Sequence, residues 1–526
     1  MAPTPPATMT TGGPHEDDTA RKPKLEATMP KEPVDEDTSD ATPATSTLAT
    51  LRPLHKSFLL FCFCLSMFID GAGVGAAFLM TAPIAHELNI GLSNQAWILA
   101  SYSLSFACAL LFAGRLADLY SPNVVYTVGL FGLGVLSLVI SFMRDQYSFF
   151  ILRAVSGLLA VLTIPSSINM IVQMYPDPLE QAKKLALFGL AAALANVFAF
   201  ILAGVFMLAS WRWYFRFVAI VVVPFSIATW FMIPRTEAVA GGLRGGEKWK
   251  RMDLGGVFMM FAMVILFILA FTQGPVDGWD KPIFIAPLVV SIVLLPVFLW
   301  WEQRLPVGYA LLPHGIWKFP NIFPLMLMAS APFLWFATYQ LRLATWLQES
   351  LHNSPILTAA KILPMGAASV VVGLFTQPFP WLITRPKYVQ PAAASLVFAG
   401  TMLIAFSNGG AGRDFWRWIL PSEIIGVVGG MVIFVGMTTN ITQAFPLEFA
   451  GVGGSFAQVI LQISGVVGIA VQTALLTTGT DPLTDWTGSR NGYFFSGGYV
   501  MLCGLVFLLW YKEDKVKVEV KDVPPV

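Results

Sequence analysis

Asp70 is the one charged residue in the apolar run from Ser57 to Thr81. An ionised side chain in the middle of hydrocarbon costs between about 2.5 and well over 10 kcal/mol. A carboxylate that bears that cost is suited to take up and release a proton; the competing reading ties it to a neighbouring helix for packing. Arg153 lies near the start of a second run and keeps its charge at any accessible pH, so it carries no proton itself. It can set the field on a carboxylate or bind an anionic group, or its long stem can snorkel to the surface. On ideal helices Asp70 falls roughly 16 Å and Arg153 roughly 8 Å below the same surface, so a direct pair requires the side chain to bend inward or a boundary to shift. Glu423, just after Pro421, faces either a cavity or the interface, and Lys361 is expected to snorkel. Gly114 and Asp118 end another run, where glycine permits close helix approach and a carboxylate can accept from a helix N-terminus; the plainer reading is a solvated loop aspartate. Asn196, Gln340, Gln458 and Gln462 are polar groups inside apolar runs, the last two one turn apart, able to bind cargo or neighbouring helices.

Other chemistries find no footing. Gly71-Ala72-Gly73-Val74-Gly75-Ala76 imitates a dinucleotide fingerprint, but no strand precedes it, and Gly71 and Gly75 instead have the spacing of a tight helix contact. No ATP-binding loop, zinc-protease motif or nucleophile elbow occurs, so the sequence points to no enzyme, cofactor or metal centre. Cys62, Cys64, Cys108 and Cys503 all lie in apolar runs and read as buried thiols. With 32 Lys and Arg against 31 Asp and Glu, there is no basic face for nucleic acid.

The elements that would position these groups follow from composition. Of 526 residues 56% are hydrophobic and 12% charged, whereas a soluble domain is nearer about 25% charged. Fourteen apolar stretches have the length a helix needs to cross a bilayer: 57–81, 94–113, 123–141, 147–171, 184–208, 213–233, 252–272, 283–301, 321–341, 355–378, 389–407, 416–440, 450–476 and 492–511. The expected fold is an all-α polytopic membrane protein with the lipid bilayer as its partner. Residues 1–56, rich in Pro, Thr and charged residues, read as a disordered tail, and 512–526 as a second short tail. An even number of spans puts both termini on one side. Counting Lys and Arg gives 22 on that side and 8 on the other, with Arg153 and Lys361 inside spans, which predicts cytoplasmic termini.

Several short motifs occur in a particular order. They are Phe68-Ile69-Asp70 with Ala82-Pro83-Ile84-Ala85, Trp97 and Tyr102, Gly114-Arg115-Leu116-Ala117-Asp118, Leu152-Arg153 with Gly157, and Ser210-Trp211-Arg212-Trp213 with Phe215. Asp253, Gln273-Gly274, Gly278-Trp279, Glu302 and Leu312-Pro313 follow. Together they resemble the major facilitator superfamily, and within it the fourteen-span drug:proton antiporter branch of fungi and bacteria, over roughly residues 57–511. The resemblance implies a 6 + 2 + 6 arrangement. A six-helix half (57–233) is followed by a cytoplasmic loop (234–251), two inserted spans (252–301), a second cytoplasmic loop (302–320) and a second half (321–511). It also implies that Asp70 and Arg153 couple protons and that Gly114 and Asp118 gate. Two departures stand out. The loop after Asp118 lacks the family's usual basic residues, and where the antiporters carry Gly-Pro and Gly-Gly pairs this chain has Ala199-Phe200 and Ala203-Gly204.

By resemblance, the expected activity is proton-coupled export of small apolar or amphipathic compounds by alternating access, most naturally in the plasma membrane, with the vacuolar membrane as the alternative. A symporter or facilitator importing a nutrient or metal chelate is the second reading, prompted by the degenerate pairs. A membrane sensor without net transport is the third. The expected partners are small-molecule cargo and protons, and nothing in the sequence speaks to an oligomeric state.

Overall fold

Proline opens six of the long helices, at Pro53, Pro122, Pro178, Pro282, Pro355 and Pro386, where its missing N–H breaks no helical bond. Asp177 also caps the helix that Pro178 opens, and Asp145, Asp253 and Asp485 cap three others, each accepting from a backbone N–H of the first turn. The computed structural model describes residues 48–91, 94–234, 252–306, 321–376, 381–444, 450–476 and 485–512. The long helices are α1 Pro53–Glu87, α2 Ala96–Leu119, α3 Pro122–Ile140, α4 Gln146–Met174, α5 Pro178–Phe206, α6 Trp211–Met232 and α7 Leu254–Asp277. They continue as α8 Pro282–Arg304, α9 Ile322–Ser350, α10 Pro355–Thr376, α11 Pro386–Ala405, α12 Leu420–Ala444, α13 Ala450–Leu476 and α14 Trp486–Trp510. Among the described residues 13 helices are long and apolar enough to cross a membrane, and α2 adds the apolar stretch Ala96–Leu110.

The helices correct several expected limits. α1 begins at Pro53, inside the stretch read as tail, because the proline nucleates its first turn. α4 is broken between Ala160 and Thr163, four residues before a proline that cannot donate to the carbonyl of Val161. α9 passes the expected end at 341 and runs on through a π-helical turn, Trp346–Ser350; a second π turn, Phe415–Ile419, leads into α12. The tail 1–47, the loops 235–251 and 307–320 and the segment 513–526 lie outside the described residues.

Packing repeats between the first six helices and the last six. α1 packs on α5, α2 on α4 and α3 on α6; α9 packs on α13, α10 on α12 and α11 on α14. Across the two sets α2 meets α13, α5 meets α10 and α1 meets α9, a pattern unchanged when the sets are exchanged. α7 and α8 pack on each other, and α7 rests on α2 and α13. Trp301 on α8 donates its indole N–H to Asp253 at the start of α7 at 2.9 Å. Apart from Ser291, Phe298 and Glu302, few side chains of α8 are buried, and Ile285, Val289, Val293 and Val297 are exposed. Such a helix is stable only where lipid is the solvent.

Two clusters mark opposite ends. On the side of the termini, His55 bonds the carbonyl of Met232 at 2.8 Å and Asn321 bonds the carbonyl of Lys512 at 2.7 Å. On the far side, Arg212 pairs with Glu87 at 2.8 Å and donates to the carbonyl of Ser141 at 2.8 Å, while Trp211 also donates to Glu87. These bonds join the far ends of α1, α3 and α6.

Candidate functional site

Asp70 sits halfway along α1 and is 8% exposed. The phenol of Tyr102, on α2, donates to its carboxylate. Arg153 comes in from α4, 5% exposed, with its guanidinium carbon 4.7 Å from the centre of the Tyr102 ring and 5.9 Å from that of Phe215. A planar cation over aromatic faces is held by the ring quadrupole. Arg153 therefore bends inward and does not snorkel. Its Nε has no hydrogen-bond partner among the described residues. Tyr214 of α6 closes the site, facing Gly73. These groups, with Ser137 and Ser156, line a cavity of about 30 Å³, room for roughly one water.

Glycine makes this assembly possible at one position above the others. A Cβ on Gly157 would lie 2.4 Å from the carbonyl oxygen of Tyr102 and 3.2 Å from the backbone nitrogen of Phe106. α4 thus lies directly on the backbone of α2, and Arg153, one turn before Gly157, reaches Tyr102 for that reason. Asp70 and Arg153 form no ion pair within 4.0 Å; the Tyr102 ring stands between them, as the difference in depth requires. A carboxylate with one phenolic donor and a cation held at a distance can exchange a proton without leaving a buried ion pair broken.

The other expected residues are scattered. Glu423 is completely buried near the start of α12, so the interface reading is corrected: Ser422 beside it bonds Tyr339 of α9 at 2.8 Å, which turns this face of the helix inward. Gln340 is also fully buried, with neither amide atom hydrogen-bonded among the described residues, and does not line an open cavity in this conformation. Gln458 and Gln462 are half-buried on α13. Lys361 lies over the ring of Phe415 at 5.0 Å. The side chains of Asp118 and Asn196 lie outside the described ones, and a Cβ on Gly114 would meet nothing within 4 Å. The tight approach expected at Gly114 is therefore not present in this conformation. Arg342 lies one residue past the expected limit at 341, beyond the reach of a hydropathy argument; the longer α9 buries it, with its Nε 2.6 Å from the hydroxyl of Ser489.

Where the two halves touch, the contacts lie toward the far side. Phe78 packs edge-on against Phe336, and the Gln348 amide donates to the carbonyl of Leu79 at 2.9 Å. A Cβ on Gly204 would come 2.9 Å from that of Ala359, so the one glycine left of the degenerate α5 pairs lets α5 and α10 meet. Gly114, at the end of α2 on the side of the termini, faces open space. Among the described residues no group of three or more His, Cys, Asp or Glu could hold a metal ion.

The chain is 24% identical over 461 residues to a puromycin resistance protein of Streptomyces alboniger, with 85% of this chain and 88% of that one covered. It is 23% identical over 505 residues to an efflux pump of Aspergillus terreus, covering 93% and 94%. To a low affinity ammonium transporter of Saccharomyces cerevisiae it is 26% identical over 429 residues, covering 80% and 81%. Its fold is similar to the crystal structure of a peptide transporter in complex with sulfate, with a TM-score of 0.61 at 16% identity over 86% of this chain and 94% of that one. The family model of the Major Facilitator Superfamily matches residues 58–469, and with the repeated six-helix packing around that span the chain belongs to this superfamily of transporters.

Proposed function

We propose that the protein is a proton-coupled exporter of small apolar or amphipathic compounds, working by alternating access with both termini in the cytoplasm, most naturally in the plasma membrane. The observation that carries the coupling is the Asp70 site: a titratable carboxylate in mid-membrane, held by Tyr102 and sharing a small cavity with Arg153 without an ion pair. Each proton moved down 100 mV supplies about 2.3 kcal/mol, and each pH unit adds about 1.36 kcal/mol. Two such protons exceed the cost of a hundredfold cargo gradient. Export is favoured by relatives named as an efflux pump and an antibiotic resistance protein.

Uptake is the second reading. Ala199, Phe200 and Ala203 are buried where exporters of the resembling branch carry Gly and Pro, and one relative is named an ammonium transporter. Purified protein in vesicles with an imposed pH gradient, offered a panel of labelled amphipathic compounds, separates the two. Cargo moving against the proton flow supports export; cargo moving with it, or indifferent to it, makes uptake the better account. Asp70→Asn keeps the size but removes titration, and it should abolish gradient-driven accumulation while leaving protein abundance unchanged. Wild-type pH dependence in that variant would reduce Asp70 to a packing role.

A further inference from the structure

The repeat between the halves extends to their buried charges, with the signs exchanged. In the first half the carboxylate is on α1 (Asp70) and the guanidinium on α4 (Arg153); in the second, the equivalent helices α9 and α12 carry Arg342 and Glu423. Arg153 is the eighth residue of α4 and Glu423 the ninth counted from the π turn before α12, so both stand at nearly the same depth below the far side. Tyrosines accompany the buried charges in both halves. Tyr102 and Tyr214 line the first site, while Tyr339 and Tyr493, with ring centres 5.7 Å apart, lie beside the second. Tyr214 and Tyr493 come from the equivalent helices α6 and α14.

The two carboxylates differ in their surroundings. Asp70 has the Tyr102 phenol, whereas Glu423 is 0% exposed and neither of its oxygens accepts a hydrogen bond from any described residue. Tyr493 lies within electrostatic reach of both Glu423 and Arg342, and its own hydroxyl is unpartnered. Tyr339 from α9, whose hydroxyl bonds the adjacent Ser422 at 2.8 Å, and Tyr493 from α14 are the titratable groups within electrostatic reach of Glu423. Lys361 of α10 lies beyond it over Phe415. Lys387 and Tyr388 of α11 are at the opposite end of the bundle, and α13 carries no charged residue. An ionised carboxylate without a single donor is far costlier to bury than the neutral acid, which has only hydroxyl-scale polarity to satisfy.

We infer that Glu423 is a second proton-binding site, occupied in this conformation, on the helix equivalent to the one that carries Arg153 in the first half. One half then binds its proton on the first helix of the repeat, the other on the fourth. If the chain is proton-coupled as proposed above, two carboxylates take part in each cycle, one per half. The binding itself does not depend on cargo or on direction.

Infrared spectroscopy of the purified protein in lipid tests this, with the carbonyl stretch of protonated carboxylic acids followed from mildly acidic to alkaline pH, in water and in deuterium oxide. The wild type should show at neutral pH an acid component that Glu423→Gln removes and Asp70→Asn leaves. That component should shift in deuterium oxide and disappear reversibly at alkaline pH. Glu423→Asp keeps an acid there and should move the component without deleting it, which carries the test if the glutamine variant does not fold. A neutral-pH spectrum unchanged by Glu423→Gln would show an ionised side chain and overturn the inference. A component that neither titrates nor exchanges would mark a sealed structural acid and overturn it equally. No cargo is needed, so failure of the export reading leaves this result standing, and failure here leaves Asp70 coupling untouched.

Discussion

Gly157→Ala isolates the contact on which the Asp70 site is built. Its new Cβ would sit 2.4 Å from the carbonyl oxygen of Tyr102, against 3.4 Å for an ordinary contact, so α4 and α2 must separate by up to the 1.0 Å difference. The obstacle is backbone, which no change of rotamer relieves. Overpacking of this kind costs about 1–3 kcal/mol, while alanine in place of glycine in a helix returns roughly 1 kcal/mol. A net loss of up to about 2 kcal/mol is expected for alanine, and Gly157→Val, with two further carbons in the same gap, should lose more. The separation also carries Arg153 off the Tyr102 ring, where a cation at 4.7 Å contributes on the order of 0.5–2 kcal/mol. Thermal unfolding of the purified protein in lipid, together with gradient-driven transport in vesicles, measures both effects. Gly498→Ala, in α14 where a Cβ would meet nothing within 4 Å, serves as the comparison that carries the helix-propensity gain without a clash. Stability and coupling equal to wild type in Gly157→Val would refute the argument that this helix contact positions the site.

Gly204→Val should separate α5 from α10, because even a methyl group there would meet Ala359 at 2.9 Å. Weakened far-side closure should lower transport at unchanged abundance, and labels on the far side should report a larger opening; unaltered transport would show that this contact is dispensable. Tags at residues 20 and 520 should both resist protease added outside intact cells, since the side of the termini carries the excess of Lys and Arg. Digestion of either one would invert the orientation.

The number and approximate places of the helices were legible in the sequence, because hydrocarbon imposes a length and an apolar composition on every span independently of its neighbours. Asp70 and Arg153 were legible for the same reason: a charge in an apolar run stands out without knowledge of what surrounds it. The relation between them was not. Helical rise placed them at different depths, and only the packing of α4 on α2 at Gly157 showed that the Tyr102 ring fills the interval. Arg342 was hidden by its position just past an expected boundary, since the α-helix continues to Thr345 through a charged residue that a hydropathy limit reads as the end of the span. Glu423 was visible but could not be placed inside or at the surface, because its exposure depends on how α12 is rotated, which the neighbours α9, α10 and α11 decide. The apolar pattern thus determined what crosses the membrane. The buried charges acquired their partners, and their equivalence between the halves, through contacts between residues far apart in the chain, to which local composition is blind.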